Sequence, residues 1–212
     1  PQRHFQEELD RLKSILLAMA GRAEDAVRLA VEALLERDRA KADAVIAGDQ
    51  AIDTLELDID DTVIEILARY QPMARDLRLI IATINICTGL ERVGDHAVNI
   101  AEETEDLLAS PPFPPLPEIE EMVRLAGAML SDALDAFVRE DAALARDVLR
   151  RDDRVDDLNR NVFRILLTHM MEDPRKIGAG MDLLLVSGNL ERIADLATNI
   201  AEEVIFLVEG RL

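Results

Sequence analysis

Apolar residues recur along this chain at i, i+3, i+4 and i+7, as in Leu9, Leu12, Leu16 and Met19. That is the period of a helix with one buried face. Ala, Leu, Arg and Glu dominate these stretches, and runs of β-branched residues are scarce, which favours helix over strand. Prolines punctuate the pattern. Five of the eight lie between Pro111 and Pro117. Proline lacks the backbone N–H and clashes with the preceding turn, so no helix crosses that segment. It reads as a short stiff connector, 111–117, between a first half, 1–110, and a second half, 118–212. Pro72 and Pro174 divide each half again. The pattern predicts a helix over 4–36, a turn at Arg37-Asp38 capped by Asp38, a helix running on to Tyr70, and a third over 72–108. In the second half it predicts helices over 118–138, 141–171 and 174–208. Pro72 and Pro174 suit a first helical position, and Asp173 a cap before the latter. The fold class is all-α, with two tandem antiparallel three-helix bundles built from six long helices.

The two halves share more than a plan. Leu-Glu-Arg-Val-Gly-Asp-His-Ala-Val-Asn-Ile-Ala-Glu-Glu begins at Leu90, and Leu-Glu-Arg-Ile-Ala-Asp-Leu-Ala-Thr-Asn-Ile-Ala-Glu-Glu begins at Leu190. Ten of the 14 positions are identical, which indicates an internal duplication.

Charge narrows the function classes. The chain has 43 acids against 24 bases, a formal net charge of −19. So acidic a chain is repelled by phosphate backbones, so nucleic acid is not an expected partner. One cysteine cannot form an internal disulfide, and one Cys with three His is a poor supply for a tetrahedral zinc site. No apolar run reaches the ~18 residues of a membrane span. Pro1 to Asp10 is polar and shows no signal-peptide core, so a cytoplasmic location is expected.

Within the repeat, the acids form stripes. Glu91 and Asp95 lie 40° apart on a helical wheel, with Asn99 and Glu102 on the same side. Glu191, Asp195, Asn199 and Glu202 repeat this. The preceding helix carries Asp49, Asp53, Glu56 and Asp60 within about 60° of arc. In the second half Asp152, Asp156 and Asn159 share that phase, and Phe163 stands where Asp60 does. Asp49 and Asp95 are equidistant from Pro72, as are Asp53 and Glu91. Asp152 and Asp195 are equidistant from the Asp173-Pro174 junction, as are Asp156 and Glu191. An antiparallel hairpin therefore sets two carboxylate pairs level in each half. If the faces converge, like charges ~4 Å apart repel by ~4 kcal/mol at an effective dielectric of 20, and a cation relieves that. Hard oxygen ligands suit Fe(III), Mn, Mg or Ca, and bridging carboxylates allow a multinuclear site. The plainer reading is a solvated acidic face.

Paired E(D)xxxD motifs on a duplicated six-helix chain resemble the PhoU family. The motifs are Asp49–Asp53, Glu91–Asp95, Asp152–Asp156 and Glu191–Asp195. His4-Phe5, Gln71-Pro72 followed by Asp76-Leu77-Arg78, and Leu-Glu-Arg with Asn-Ile-Ala in both halves also match. The resemblance covers essentially the whole chain. It implies metal ions, with iron, manganese, magnesium and zinc as candidates, held by those eight acids. Asn99, Glu103, Asn199 and Glu203 are secondary ligand candidates. It also implies a non-enzymatic, cytoplasmic, commonly homodimeric regulator. Such a regulator acts between the ATPase subunit of a phosphate ABC transporter and a sensor histidine kinase, and it represses phosphate uptake and the phosphate-starvation response. A metal-dependent phosphohydrolase and a metal-free helical adaptor are the alternatives.

The remaining chemistry is sparse. Asp95-His96 reverses the His-Asp order of helical metal phosphohydrolases, and Leu196 replaces the histidine in the repeat. His169 near a helix end reads as a capping or surface residue. Cys87, on the apolar side of its helix, reads as a buried structural thiol. Arg92 and Arg192 lie beside the acidic stripe and either pair with acids or meet a partner. Met170-Met171 reads as core filling. No Gly-rich phosphate loop or nucleophile elbow occurs.

Overall fold

The computed structural model describes residues 2–211. Pro1 and Leu212, the outer limits of the two halves, lie outside the described residues. Six long helices follow one another: α1 Gln2–Glu36, α2 Arg39–Arg69, α3 Ala74–Leu108, α4 Pro117–Arg139, α5 Ala142–Glu172 and α6 Ile177–Glu209, with a single 3-10 turn at Pro174–Lys176. No strand occurs among the described residues. Helices α1–α3 form one antiparallel bundle and α4–α6 a second, as the periodicity requires.

The first turn of each bundle is built the same way in both halves. Arg37 and Glu140 take left-handed backbone angles (φ 54° and 52°) just past the ends of α1 and α4. The next amides, of Asp38 and Asp141, return to the carbonyls of Ala33 and Ala136. This closes the outgoing helix with a left-handed residue, a conformation that costs an L-residue about 1 kcal/mol. Tertiary bonds hold both residues in place. Arg37 Nη2 donates to the carbonyls of Leu107 (3.3 Å) and Ser110 (2.9 Å), and Glu140 pairs with Arg75. Asp38 and Asp141 then cap the incoming helices, accepting from the amides of Lys41 (3.2 Å) and Leu144 (3.0 Å).

The second turns differ, and the cause is one residue. Asp173 precedes Pro174 and accepts from the amide of Arg175, so Pro174 opens a helical turn as expected. Gln71 precedes Pro72 and is not a capping residue. Residues 71–73 accordingly stay outside any helix, α3 starts two residues later than the sequence indicates, and Ala74 enters it with φ 50°. Tyr70, tilted against Phe5 at 5.0 Å, anchors this turn to α1.

The connector is pinned rather than free. Phe113 meets His169 edge-on at 5.3 Å, and the Lys176 ammonium lies 6.0 Å from its ring centroid. His169 thus packs the connector against the second hairpin. A single hydrophobic cluster runs through all six helices, and the two bundles join chiefly where α3 packs on α6. Across that seam Asn85 bonds Glu203 (2.9 Å) and Asn99 bonds Asn189 (3.1 Å), so residue numbers rise on one helix as they fall on the other. The seam is antiparallel. The α2–α3 turn and the α5–α6 turn therefore lie at opposite ends of the molecule.

The two aspartate caps are equivalent in geometry and should be equivalent in energy. Asp38→Ala and Asp141→Ala are each expected to lower stability by about 1 kcal/mol. Urea unfolding of the two variants checks this.

Candidate cation sites

Whether the acidic faces converge is a question of helix rotation, and the apolar core decides it. On α2 the buried residues include Ile52, Ile59, Val63 and Ile66; on α3 they include Leu90, Val93, Ala97 and Ile100. Burying these positions turns the remaining faces of both helices toward their shared groove. Carboxylate oxygens of Asp53, Glu56 and Glu91 come within 4.8 Å of one another in the first bundle. Those of Asp152, Asp156 and Asp195 do so in the second. The faces converge in both halves.

Close helix approach supports the first cluster. A Cβ on Gly94 would lie 3.0 Å from Ile52 Cδ1 and 3.1 Å from Asp49 Oδ1. Glycine at 94 thus lets α2 and its Asp49 come nearer to α3 than a side chain there permits. Ala194 occupies the corresponding place in the repeat.

The electrostatics follow the geometry. Glu91 is pushed up to about 7 by burial, by a hydrogen bond with Asp95, and by the charges of Asp95, Glu56 and Asp53. Glu191 is pushed up to about 7 by burial, by its bond to Asp195, and by Asp195, Asp156 and Asp152. Burial first, then Asp195, Asp156 and Asp153, raise Asp152 to about 6. Asp49 and Glu56 are raised by burial and by the acids around them. In each case a partly desolvated carboxyl faces like charge, and both effects disfavour ionisation.

All four E(D)xxxD motifs enter the two grooves, and Glu56 joins them from outside the motif. The sequence carries a signal for it, since Glu56 lies on the Asp49–Asp53–Asp60 stripe. The matching residue in the second half is Asn159, which accepts a 2.6 Å hydrogen bond from the Ser187 hydroxyl instead. Phe163, in the place of Asp60, is 53% exposed and lines a shallow groove with Arg160, Arg164 and Leu184.

Three of the four secondary candidates face another way. Asn99 donates to Asn189 Oδ1, which also meets His96 Nδ1 at 2.9 Å; Asn189 in turn donates to the Leu185 carbonyl. Glu103 bonds Asp182 on α6, with Asp106 alongside, and its carboxyl is raised by burial and by Asp182. Glu203 accepts from Asn85. All three belong to the α3–α6 seam. The reason is helical drift: each step of four residues turns 40°, so positions eight and twelve beyond Glu91 leave its face. Asn199 is exposed.

The other residues singled out are structural. Cys87 is buried, donates to Met19 Sδ at 3.6 Å, and is pushed up to about 12 by burial and neighbouring acids. Arg92 and Arg192 form no ion pair among the described residues. Met171 is 77% exposed rather than core.

An all-oxygen donor set suits a hard cation. Asp152 adds a specific indication: its Oδ1 is buried and has no hydrogen-bond partner. A bound cation neutralises clustered carboxylates of this kind, and the residues present fit one.

Two antiparallel three-helix bundles, joined by duplication and each with an acidic groove between its second and third helices, define the class of protein. A family profile for the PhoU domain matches twice, over residues 16–104 and 119–204. The chain is 42% identical over 207 residues to the phosphate-specific transport system accessory protein PhoU homolog of Caulobacter vibrioides, covering 97% of this chain and 90% of that one. It is 41% identical to the homolog of the same name from Aquifex aeolicus, covering 97% and 93%. The crystal structure of PhoU from Pseudomonas aeruginosa superposes with a TM-score of 0.94 at 42% identity, covering 97% of this chain and 99% of that chain. The phosphate transport system regulatory protein PhoU from Streptococcus pneumoniae does so at 0.90 and 30% identity, covering 98% of each. The chain belongs to the PhoU family. Among the described residues, no helix is long and apolar enough to cross a membrane.

The raised glutamates predict a pH dependence. A carboxyl whose folded value exceeds its unfolded value makes the folded chain hold more protons. Its stabilisation is complete below the ordinary carboxylate range and is lost as pH rises through about 7. The metal-free chain should therefore melt at a higher temperature at pH 5 than at pH 8, and Glu91→Gln with Glu191→Gln should narrow the gap. Thermal melts of both proteins at the two pH values test this.

Proposed function

We propose that the chain is a cation-binding, non-enzymatic regulator of phosphate transport. The regulatory part rests on kinship: relatives similar over nearly the whole chain are named accessory or regulatory proteins of phosphate transport. The cation part rests on one observation, the convergence of carboxylates from two helices in each repeat. Asp49, Asp53, Glu56, Glu91 and Asp95 hold the cation in the first groove. Asp152, Asp156, Glu191 and Asp195 hold it in the second. The cation offsets the mutual repulsion of these groups and so firms the packing of α2 on α3 and of α5 on α6.

The regulator works in the cytoplasm as a homodimer. It stands between the ATPase subunit of a phosphate ABC transporter and a sensor histidine kinase, and it restrains uptake and the phosphate-starvation response. A non-enzymatic role accords with the chemistry around the grooves. The single thiol is buried and held protonated. His169 packs against Phe113, and His96 is engaged with Asn189.

Two measurements test the two parts separately. Protein purified without chelator should carry iron, manganese, magnesium or zinc by elemental analysis, and Asp53→Asn with Glu91→Gln should remove the metal of the first groove. Protein that neither carries nor takes up any of these ions contradicts the cation part. Deletion in the host should raise phosphate uptake in phosphate-rich medium, and unchanged uptake contradicts the regulatory part.

A further inference from the structure

Exposed apolar side chains are concentrated in this molecule. Twelve of the sixteen large ones exposed among the described residues lie near the two second turns, six on α2–α3 and six on α5–α6. On the second hairpin they are Phe163, Leu167 and Met171 facing Leu185, Met181 and Ile177. Each pair is equidistant from residue 174, so an antiparallel hairpin sets them level. On the first hairpin they are Leu57, Ile64, Leu67, Met73, Leu77 and Ile81. In both hairpins these residues continue the face that carries the acidic cluster, within about 80–120° of arc, outward to the turn. Water meets a row of apolar side chains on each hairpin, at opposite ends of the molecule. Patches of this kind mark association surfaces rather than ordinary exposure.

The rims of the two patches differ in sign. Between residues 57 and 67, α2 carries Asp58, Asp60, Asp61 and Glu65 and no base. The corresponding stretch of α5, residues 160–170, carries Arg160 and Arg164 and no acid. Arg164 stands where Asp61 does in the repeat. It has no ion-pair partner among the described residues, while Arg160 is held by Asp157. Glu65 is held by Arg69 at 2.7 Å. Over the whole hairpins the contrast is smaller but keeps its sign: residues 57–81 carry five acids and three bases, and residues 160–185 carry three acids and four bases.

We propose that these two patches are the halves of one self-docking surface: the α5–α6 end of one copy seats against the α2–α3 end of a second. This rests on the dimeric reading above and adds to it the surfaces and the charges that choose them. Charge complementarity names the occupant, because the acidic apolar face that suits Arg160 and Arg164 is present on the chain itself. The antiparallel seam supplies the closure. With the two patches at opposite ends, a second copy running the other way along a two-fold axis brings each acidic patch to a cationic one. Both contacts form at once, and the assembly closes as a dimer rather than growing as a filament. Apolar contact supplies the attraction, and the rims suppress pairing of two like ends.

Sedimentation velocity of the full chain over a concentration series in physiological salt tests the proposal. The unaltered chain should be a dimer. Arg160→Glu with Arg164→Glu should weaken dimerisation at least ~tenfold, as expected when charge pairs across an interface become repulsive. Adding Asp61→Arg and Glu65→Arg to that variant should restore the dimer by exchanging the charges. All four positions are on the surface of long helices, and thermal melts confirm that the variants fold. An unaltered chain that is monomeric overturns the dimeric reading and the proposal together, and its flotation with phosphatidylglycerol vesicles would show lipid to be the occupant. A dimer that survives the reversal, or that the exchange fails to restore, leaves the dimeric reading standing and overturns the docking surface alone.

Discussion

Glu91 and Glu191 are pushed up to about 7 by burial, by Asp95 and Asp195 one turn on, and by the acids of the helix before, at which α3 and α6 aim them. Repulsion among these acids is the constraint around which both bundles are built. The acids have no route of escape. Helices of 31 to 35 residues, with α2 and α5 capped by Asp38 and Asp141, have a fixed phase, and burial of the opposite face sets it. Each fully buried Leu, Ile or Val contributes roughly 1.5–3 kcal/mol, and dozens of apolar residues are buried in this core. A few kcal/mol of repulsion between carboxylates cannot rotate helices held that firmly. The core wins, the acids stay together, and their charge is relieved by protons or by a cation.

Duplication made two such grooves, and divergence has separated them. The first has Glu56 on its stripe and Gly94 where α2 comes close to α3. The second has Asn159 bound to Ser187 and Ala194 in place of the glycine. Phe163 ends the second stripe early and begins an apolar patch. Adjacent positions of the same stretch, Arg160 for Leu57 and Arg164 for Asp61, give the outer end of the second groove a cationic rim.

The helix α3 shows where sequence reasoning stops. It packs against α1, α2 and α6, so its polar residues have two destinations. Glu91 and Asp95 go to the groove with α2, whereas His96, Asn99 and Glu103 go to the seam with α6. On a wheel Asn99 still shares the side of Glu91 and Asp95, because a wheel records phase and not which neighbour lies in each direction, while His96 and Glu103 lie 120–140° from Glu91 and are already off that side. The delayed start of α3 has a different character. Pro72 looks equivalent to Pro174 until the preceding residue is considered, and Gln71 cannot make the bond that Asp173 makes.

The sequence alone determined six helices, their breaks, the duplication and the level placement of the carboxylate pairs. These are local properties, set by proline stereochemistry, helical period and distance from a turn. Tertiary structure decided that the acidic faces meet, that Glu56 belongs with them, that Asn99, Glu103 and Glu203 do not, and that the two bundles share one core along an antiparallel seam. Those outcomes depend on rotations and contacts between helices far apart in the chain. Packing of the apolar faces sets such rotations collectively, and no single segment encodes them.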